Sequence, residues 1–444
     1  MVSGAVKKRI PEGYKQTEVG VIPEDWLVAE LGTLCSYQNG MAQESYFNKS
    51  SGYKVVSIGN YSPTGRFVST GSYIARSHAA VIRKFILNKG DLAMILNDKT
   101  AVGTIIGRVL LIDKDDEYVM NQRTMRLASN GKISPEYLYF LINSDFIHKN
   151  IVGLSKPGTQ IYINTDDVTS LPLCAPADKK EQTAIANALS DVDALITSLE
   201  KLIAKKRAIK TAAMQQLLTG KKRLSPFDQN HTGYKQTELG EIPEDWEVIR
   251  IGDIADVKTG PFGSSLHERD YVQDGTPIIT VEHLGEIGIS SQNLPMVSDL
   301  DRARLRAYSL RKGDIAFSRV GSVDRNALIL SEHEGWLFSG RLLRVRFKNR
   351  DAVPSFFSHQ FHTAPFKQRV LEVAVGQTMA SLNTQILKGI LVLNPSSKAE
   401  RAAISGVLDN MNTDISRVMG RLEKTQQIKQ GMMQELLTGR TRLI

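Results

Sequence analysis

Residues 13–26 read GYKQTEVGVIPEDW, and residues 233–246 read GYKQTELGEIPEDW. Twelve of the fourteen positions match; only Val19/Leu239 and Val21/Glu241 differ. A second echo, MQQLLTG at 214–220 and MQELLTG at 433–439, returns at an offset of 219, against 220 for the first. Two motifs repeating at nearly one offset make the chain two copies of one unit. That constraint outweighs every local signal, because whatever the first copy folds into, the second must also fold into. With 444 residues the chain is also too long for one ordinary core, and two to four domains are expected.

Within each copy the order is the same: the lead-in, about 130 residues of mixed character, then a long helical stretch. Short β-rich runs bounded by Gly, Asn and Ser fall at Tyr53–Gly59, Asp91–Leu96 and Thr104–Ile112, and at Pro277–Val281, Asp314–Phe317 and Leu342–Phe347. Further segments align between the copies. LNKGDLAMI (87–95) lies against LRKGDIAFS (310–318), and YVMNQRTMRL (118–127) against WLFSGRLLRV (336–345). Between these anchors the copies barely agree. A shared framework with divergent fill predicts one fold presenting two different surfaces.

Helices are expected over about 179–218 and 398–437. Asp178-x-x-Glu181 and Ser397-x-x-Glu400 have the form of capping boxes. Pro176 and Pro395 precede them, and Gly220 and Gly439 stand where helices stop. Leu189, Val192, Ile196, Leu199 and Ile203 form an apolar stripe at alternating three and four spacing. Leu408, Met411, Ile415, Val418 and Leu422 repeat it 219 residues later. Such a stripe is a coiled-coil seam, or the core face of an ordinary helix; matched stripes of equal length favour the two helices packing on each other. The connection through KKRLSPFDQNHT (221–232) predicts an antiparallel pair, with a globular domain at each end of a rod of roughly 60 Å. The ending GRTRLI (439–444) parallels GKKRL (220–224), so the two chain ends are expected to lie close together.

Composition narrows the class. A hydrophobic fraction of 41% is ordinary for a globular protein. No apolar run approaches the roughly 20 residues needed to cross a bilayer. The opening MVSGAVKKRIPEG lacks the apolar stretch of a secretory signal, and a cytoplasmic location is expected. Cys35 and Cys174 share no metal or redox spacing and are expected as reduced, packed thiols. The net charge of +9 favours a polyanionic partner, since released counterions drive phosphate binding. A duplicated unit suits a partner with two similar halves, and double-stranded DNA is the leading candidate.

The layout resembles the specificity subunits of type I restriction-modification systems over nearly the full length. The resemblance rests on the lead-ins at 13–26 and 233–246, the paired helices, and the LLTG endings at 217–220 and 436–439. It implies α/β (α+β) recognition domains in two copies, joined by a long antiparallel two-helix coiled coil with pseudo-two-fold symmetry. Residues 1–176 and 221–395 are then target recognition domains, the latter including the linker, each reading half of a bipartite asymmetric site. Residues 177–220 and 396–444 are conserved spacer helices. The partners implied are two methyltransferase subunits using S-adenosylmethionine, and motor-nuclease subunits using ATP with Mg. No cofactor and no metal is expected in this chain.

The residues agree in offering little chemistry. Asn394-Pro395-Ser396 lacks the second proline and the aromatic of an adenine methyltransferase loop. Gly220-Lys221 lacks the rest of a phosphate-binding loop. His359 and His362 have zinc-like spacing without companion ligands and are expected to pack. Positive charge is concentrated instead: Lys201, Lys205, Lys206, Arg207, Lys210, Lys221, Lys222 and Arg223 fall within 201–223 without an acid among them. They make a phosphate-facing or partner-facing end of the helix, or a solvated face. The second variable region is rich in arginine, including Arg319, Arg325, Arg341 and Arg344. For base readout, loops are favoured because they enter a groove while the framework holds register. The candidates are Lys99, Thr100, Lys156, Thr159, Gln160 and Tyr162 in the first copy, and Arg319, Ser322, Arg325, Gln377, Thr378 and Ser381 in the second. Gln pairs with adenine N6/N7 and Arg with guanine O6/N7. The alternative for these loops is polar capping of their own backbone. The alternative for the whole chain is a duplicated, non-catalytic adaptor that binds proteins.

Overall fold

The computed structural model describes residues 10–100, 102–156, 160–229, 233–261, 266–349, 351–374 and 380–443. Two units emerge: Met1–Ser198 with Leu422–Ile444, and Leu199–Arg421. The division falls inside both long helices, Lys179–Leu217 and Lys398–Leu436, each of 39 residues and each within one residue of its expected end.

In the first unit the lead-in forms an antiparallel hairpin, Tyr14–Thr17 with Gly20–Pro23. The next strand, Trp26–Glu30, pairs antiparallel with Pro172–Pro176, which places the start of the globular region beside its end. Trp26 is fully buried and anchors a core that also holds Ile185 and Leu189 of the first long helix and Leu436 and Leu437 of the second. Beyond this joint lie two sheets. One is antiparallel, in the order Val109–Leu111, Leu92–Ile95, Thr124–Ser129, Cys35–Asn39. The other has five strands, with Tyr53–Val56 parallel to Tyr118–Met120 at its centre. Cys35 and Cys174 are buried free thiols, pushed by desolvation up to about 12 and about 11.

The second unit repeats this plan. Tyr234–Thr237 pairs with Gly240–Pro243, and Trp246–Arg250 pairs with Leu391–Pro395. Its sheet runs Ala255–Thr259, Leu342–Phe347, Ile315–Ser318, Asn326–Leu328, the first unit's order of equivalent strands. Trp246 is fully buried with Met214, Leu217 and Leu218 of the first long helix and Ile404 and Leu408 of the second. The expected strands are present; Leu342–Phe347 matches its run, Ile315–Ser318 is shifted by one residue, and the others are shorter than their runs. The sequence reading missed the paired helices that follow each sheet, Pro135–Ile142 with Asp145–Leu154 and Pro354–Phe361 with Ala364–Val373. Pro stands at the first turn of Pro135–Ile142 and of Pro354–Phe361, where its missing N–H costs nothing.

The long helices run antiparallel within each unit. In the first, Glu181 meets Arg442 and Asp193 meets Lys429; in the second, Lys206 meets Asp414 and Glu400 meets Arg223. In each case the partner's number falls as the residue's rises. The seam is buried at Leu189 and Ile196 in the first unit, with Val192 and Leu422 half-buried. In the second it is buried at Leu199, Ile203, Leu408 and Ile415, with Met411 and Val418 half-buried.

The capping boxes are realised only in part. Asp178 accepts a hydrogen bond from the Lys180 N–H, and Ser397 from the Glu400 N–H. The two glutamates do not reach back to the cap. Glu400, fully buried, accepts the Arg223 guanidinium at 2.8 and 2.6 Å and the Trp246 indole N–H at 3.3 Å. Arg223 also holds Asp245 at 3.0 and 2.8 Å. Arg442 spans Asp25 and Glu181 in the same way, at 2.9 and 2.7 Å to Asp25. The guanidinium holds the Asp25 carboxyl below the usual carboxylate range. Each joint is completed by glycine: Gly220 and Gly439 have φ near +71° and +72°, and a Cβ on either would sit 2.5 Å from Pro243 or Pro23. The LLTG ending and the IPEDW lead-in are thus two sides of one contact, and the expected proximity of the chain ends appears as Arg442 on Asp25 and the Tyr14 hydroxyl donating to the Gly439 carbonyl at 2.9 Å.

Candidate nucleic-acid interface

In the first unit, strand Leu92–Ile95 runs on into a rim. The Leu96 N–H donates to the Arg123 carbonyl at 2.9 Å, and the Ile163 N–H donates to the Leu96 carbonyl at 3.0 Å. Asn97–Asp98 pairs antiparallel with Ile161–Tyr162, and Lys156 bridges Tyr162. Three distant segments therefore meet, and they bring Lys99, Thr100, Lys156, Gln160 and Tyr162 together, all exposed. Buried Asp98 organises the turn, accepting from the Thr100 N–H at 2.8 Å, the Thr100 hydroxyl at 2.9 Å and the Ile105 N–H at 2.8 Å. Thr100 is thus engaged in capping its own loop. Thr159 lies outside the described residues.

The rim also holds Arg123, absent from the sequence-based candidates. It is exposed, adopts φ +65°, and donates to Gln160 Oε1 at 3.1 Å. A non-glycine residue held in the left-handed region is unusual and concentrates at functional sites. The signal was present in the alignment of the copies, which places Arg123 against Arg341, but neither arginine stood in a run read as a loop.

The second unit builds the same rim from equivalent segments. The Arg319 N–H donates to the Arg341 carbonyl at 2.8 Å, the Leu382 N–H donates to the Arg319 carbonyl at 2.8 Å, and Val320 bridges Ser381. Arg319, Ser322, Arg325 and Ser381 come together there with Arg341. Ser322, Arg325 and Arg341 are exposed, whereas Arg319 and Ser381 are half-buried. Gln377 and Thr378 lie outside the described residues. The first rim therefore presents ammonium and guanidinium groups and the second guanidinium groups, from loops held by backbone bonds to a sheet edge, a chemistry suited to phosphates and base edges.

A family model described as the type I restriction modification DNA specificity domain matches residues 23–210 and 243–437. The chain belongs to this family. It is similar to two specificity subunits of type I restriction enzymes from Methanocaldococcus jannaschii. The one named MjaX is 26% identical, covering 97% of each chain. The one named MjaVIII is 22% identical, covering 97% of this chain and 96% of the other. Among solved structures it resembles the S subunit of a type I restriction-modification system from M. genitalium, with TM-score 0.60 and 17% identity, over 93% of this chain and 96% of that one; this shows a shared fold.

Other charged groups serve the fold of this specificity-domain protein. Of the basic residues in 201–223, Arg223 and Lys206 are committed to ion pairs and Lys210 is buried, leaving Lys201, Lys205, Arg207, Lys221 and Lys222 exposed. Arg344 is buried against Asp256 at 3.3 Å, and Arg346 holds buried Asp314 at 2.7 and 2.6 Å. His359 is buried with Nε2 2.7 Å from Asp409, and desolvation pushes His362 down to about 3. Among the described residues no cluster of metal-ligating side chains occurs, and no helix is long and apolar enough to cross a membrane.

Proposed function

We propose that the chain is the non-catalytic, cytoplasmic DNA-specificity subunit of a type I restriction-modification complex. Each copy reads one half of a bipartite, asymmetric duplex site, and the long helices dock two methyltransferase subunits and, where present, motor-nuclease subunits. Residues 1–176 and 221–395 are the reading domains, and 177–220 and 396–444 the spacer helices. S-adenosylmethionine, and ATP with Mg, belong to the partners.

The observation that carries this reading is the pair of equivalent rims. Their frameworks superpose bond for bond, through Leu96/Arg319, Arg123/Arg341 and Ile163/Leu382, while the side chains they present differ. One scaffold with two unlike sets of polar loop residues is what two different half-sequences require. Lys99, Lys156, Gln160, Tyr162 and Arg123 are assigned to one half-site; Arg319, Ser322, Arg325, Ser381 and Arg341 to the other. Thr100 shares the loop of Lys99, and Thr159, Gln377 and Thr378, outside the described residues, are proposed for the same role.

The test is a gel shift on the chain assembled with its methyltransferase subunits, across a salt series. DNA binding with a steep salt slope is expected. Retention of protein partners without any affinity for duplex would favour the adaptor alternative and overturn the proposal.

A further inference from the structure

The internal repeat places one lysine in two chemical settings. In the first unit, Lys429 Nζ lies 2.9 and 2.8 Å from the two carboxylate oxygens of Asp193 on the facing helix. Arg66 adds a further contact to Asp193 at 2.9 Å. The offset of 219 that relates the helices makes Lys210 the counterpart of Lys429 (429 − 219) and Asn412 the counterpart of Asp193 (193 + 219). In the second unit the carboxylate has become an amide.

The consequences are visible in that unit alone. Lys210 is 7% exposed, yet it makes no hydrogen bond or ion pair among the described residues. Asn412 Oδ1 is buried without a hydrogen-bond partner among them. Glu286 and Asp409 are near enough to favour the ammonium, but burial outweighs them and pulls Lys210 below the ordinary lysine range. A desolvated cation without a bonded counterion is costly.

Beside Lys210 the second unit is hollow. A cavity of about 440 Å³ is lined by Arg207, Lys210, Lys221, Arg369 and His362, with Glu286 the one carboxylate. Arg369 Nε is buried and also lacks a hydrogen-bond partner among the described residues. Met214, Leu218 and Pro365 supply an apolar wall. The volume falls in the range of small-ligand sites, roughly 300–1,000 Å³.

We propose that this cavity binds a small phosphorylated molecule, whose phosphate answers the Lys210 ammonium from the cavity side and whose organic part rests on the apolar wall. Arg207, Lys210, Lys221 and Arg369 face Glu286 in the lining, with Asp409 and Glu372 acting on Lys210 and Arg369 from outside it, so cations remain in excess; a phosphate brings about two charges and three acceptor oxygens. Duplex DNA carries the same group on a rod too broad to enter a cavity of this size.

The test is calorimetric titration of the full chain with pyrophosphate, with ADP and with a short duplex, at fixed ionic strength. Saturable binding of pyrophosphate and ADP at one site per chain is expected. Lys210→Met removes the cation, and Asn412→Asp installs the first unit's own carboxylate; each should weaken binding about tenfold or more. Both variants should melt cooperatively without ligand, at or above the wild-type Tm. The proposal is overturned if neither small probe binds saturably, or if both variants bind them as wild type does. It is equally overturned if duplex displaces ADP and the variants lose duplex binding instead, which would make the cavity a DNA-backbone contact.

Discussion

The two units share their joints and differ at their rims. At the joint, Arg442 on Asp25 and Glu181 matches Arg223 on Asp245 and Glu400, with Gly439 against Pro23 matching Gly220 against Pro243. At the rim, Leu96 stands where the other copy has Arg319, and apart from Arg123 against Arg341 the exposed polar side chains differ between the copies. The joint fixes how the recognition region meets the helices, so its chemistry cannot drift without losing the fold. The rim is tied to the sheet edge mainly by backbone hydrogen bonds, with buried Asp98 capping one turn, so most of its exposed side chains are free to diverge. Divergence between the copies is thus confined by physics to the rims, the surface proposed to meet DNA.

The comparison breaks most severely at the buried arginine. Arg223→Ala leaves fully buried Glu400 without its cation and should cost about 3–5 kcal/mol. Arg442→Ala, whose partner Glu181 is slightly more exposed, should cost about 2–4 kcal/mol. Chemical denaturation measures both, and equal, small losses would show that the joints are not load-sharing ion pairs. Gly439→Ala and Gly220→Ala should each cost about 1–3 kcal/mol, because the left-handed conformation and the close approach of proline both resist a Cβ.

Rim substitutions should do the opposite, leaving stability unchanged while altering affinity. Arg123→Ala and Arg341→Ala should each weaken binding to the cognate duplex by about 1–3 kcal/mol, each relaxing preference in a different half-site. Loss of both halves with either variant would refute the division of labour between copies.

Acidification gives a smaller and separate effect. His148 is pushed down to about 4 and His362 to about 3, in both cases chiefly by desolvation. Their folded-state values lie below the ordinary 6.5, so the unfolded chain binds more protons once pH falls below that value. Stability is therefore full above about pH 6.5 and declines as pH drops toward 4, by on the order of 1 kcal/mol per pH unit. Thermal melts at pH 7.5 and 5.5 in one salt concentration check this; an unchanged Tm would contradict it.

Much of this architecture was legible in the chain. The repeat follows from the offset, the two long helices and their seam from local periodicity, and their direction from the connection between the copies. The paired helices at 135–154 and 354–373 were missed because their apolar residues cluster without a long amphipathic period and sit close to the strand runs. The capping-box glutamates were misread for another reason: their partners, Arg223 and Arg442, are distant in sequence. Arg123 was overlooked because its role rests on a positive φ and a backbone bond to Leu96, both products of the tertiary fold. The sequence reading did pick out loop residues that the fold gathers, since Lys99, Lys156, Gln160 and Tyr162 converge on one rim and Arg319, Ser322, Arg325 and Ser381 on the other.

The claim that each copy reads its own half of one DNA site is tested most directly by mapping methylated adenines in cells that carry the wild-type chain or a variant altered at Lys99, Arg123, Lys156 and Gln160 together. The account predicts that one half of the methylated sequence changes while the other half and the gap between them persist. A map in which both halves change, or in which the gap changes with the halves intact, would contradict it.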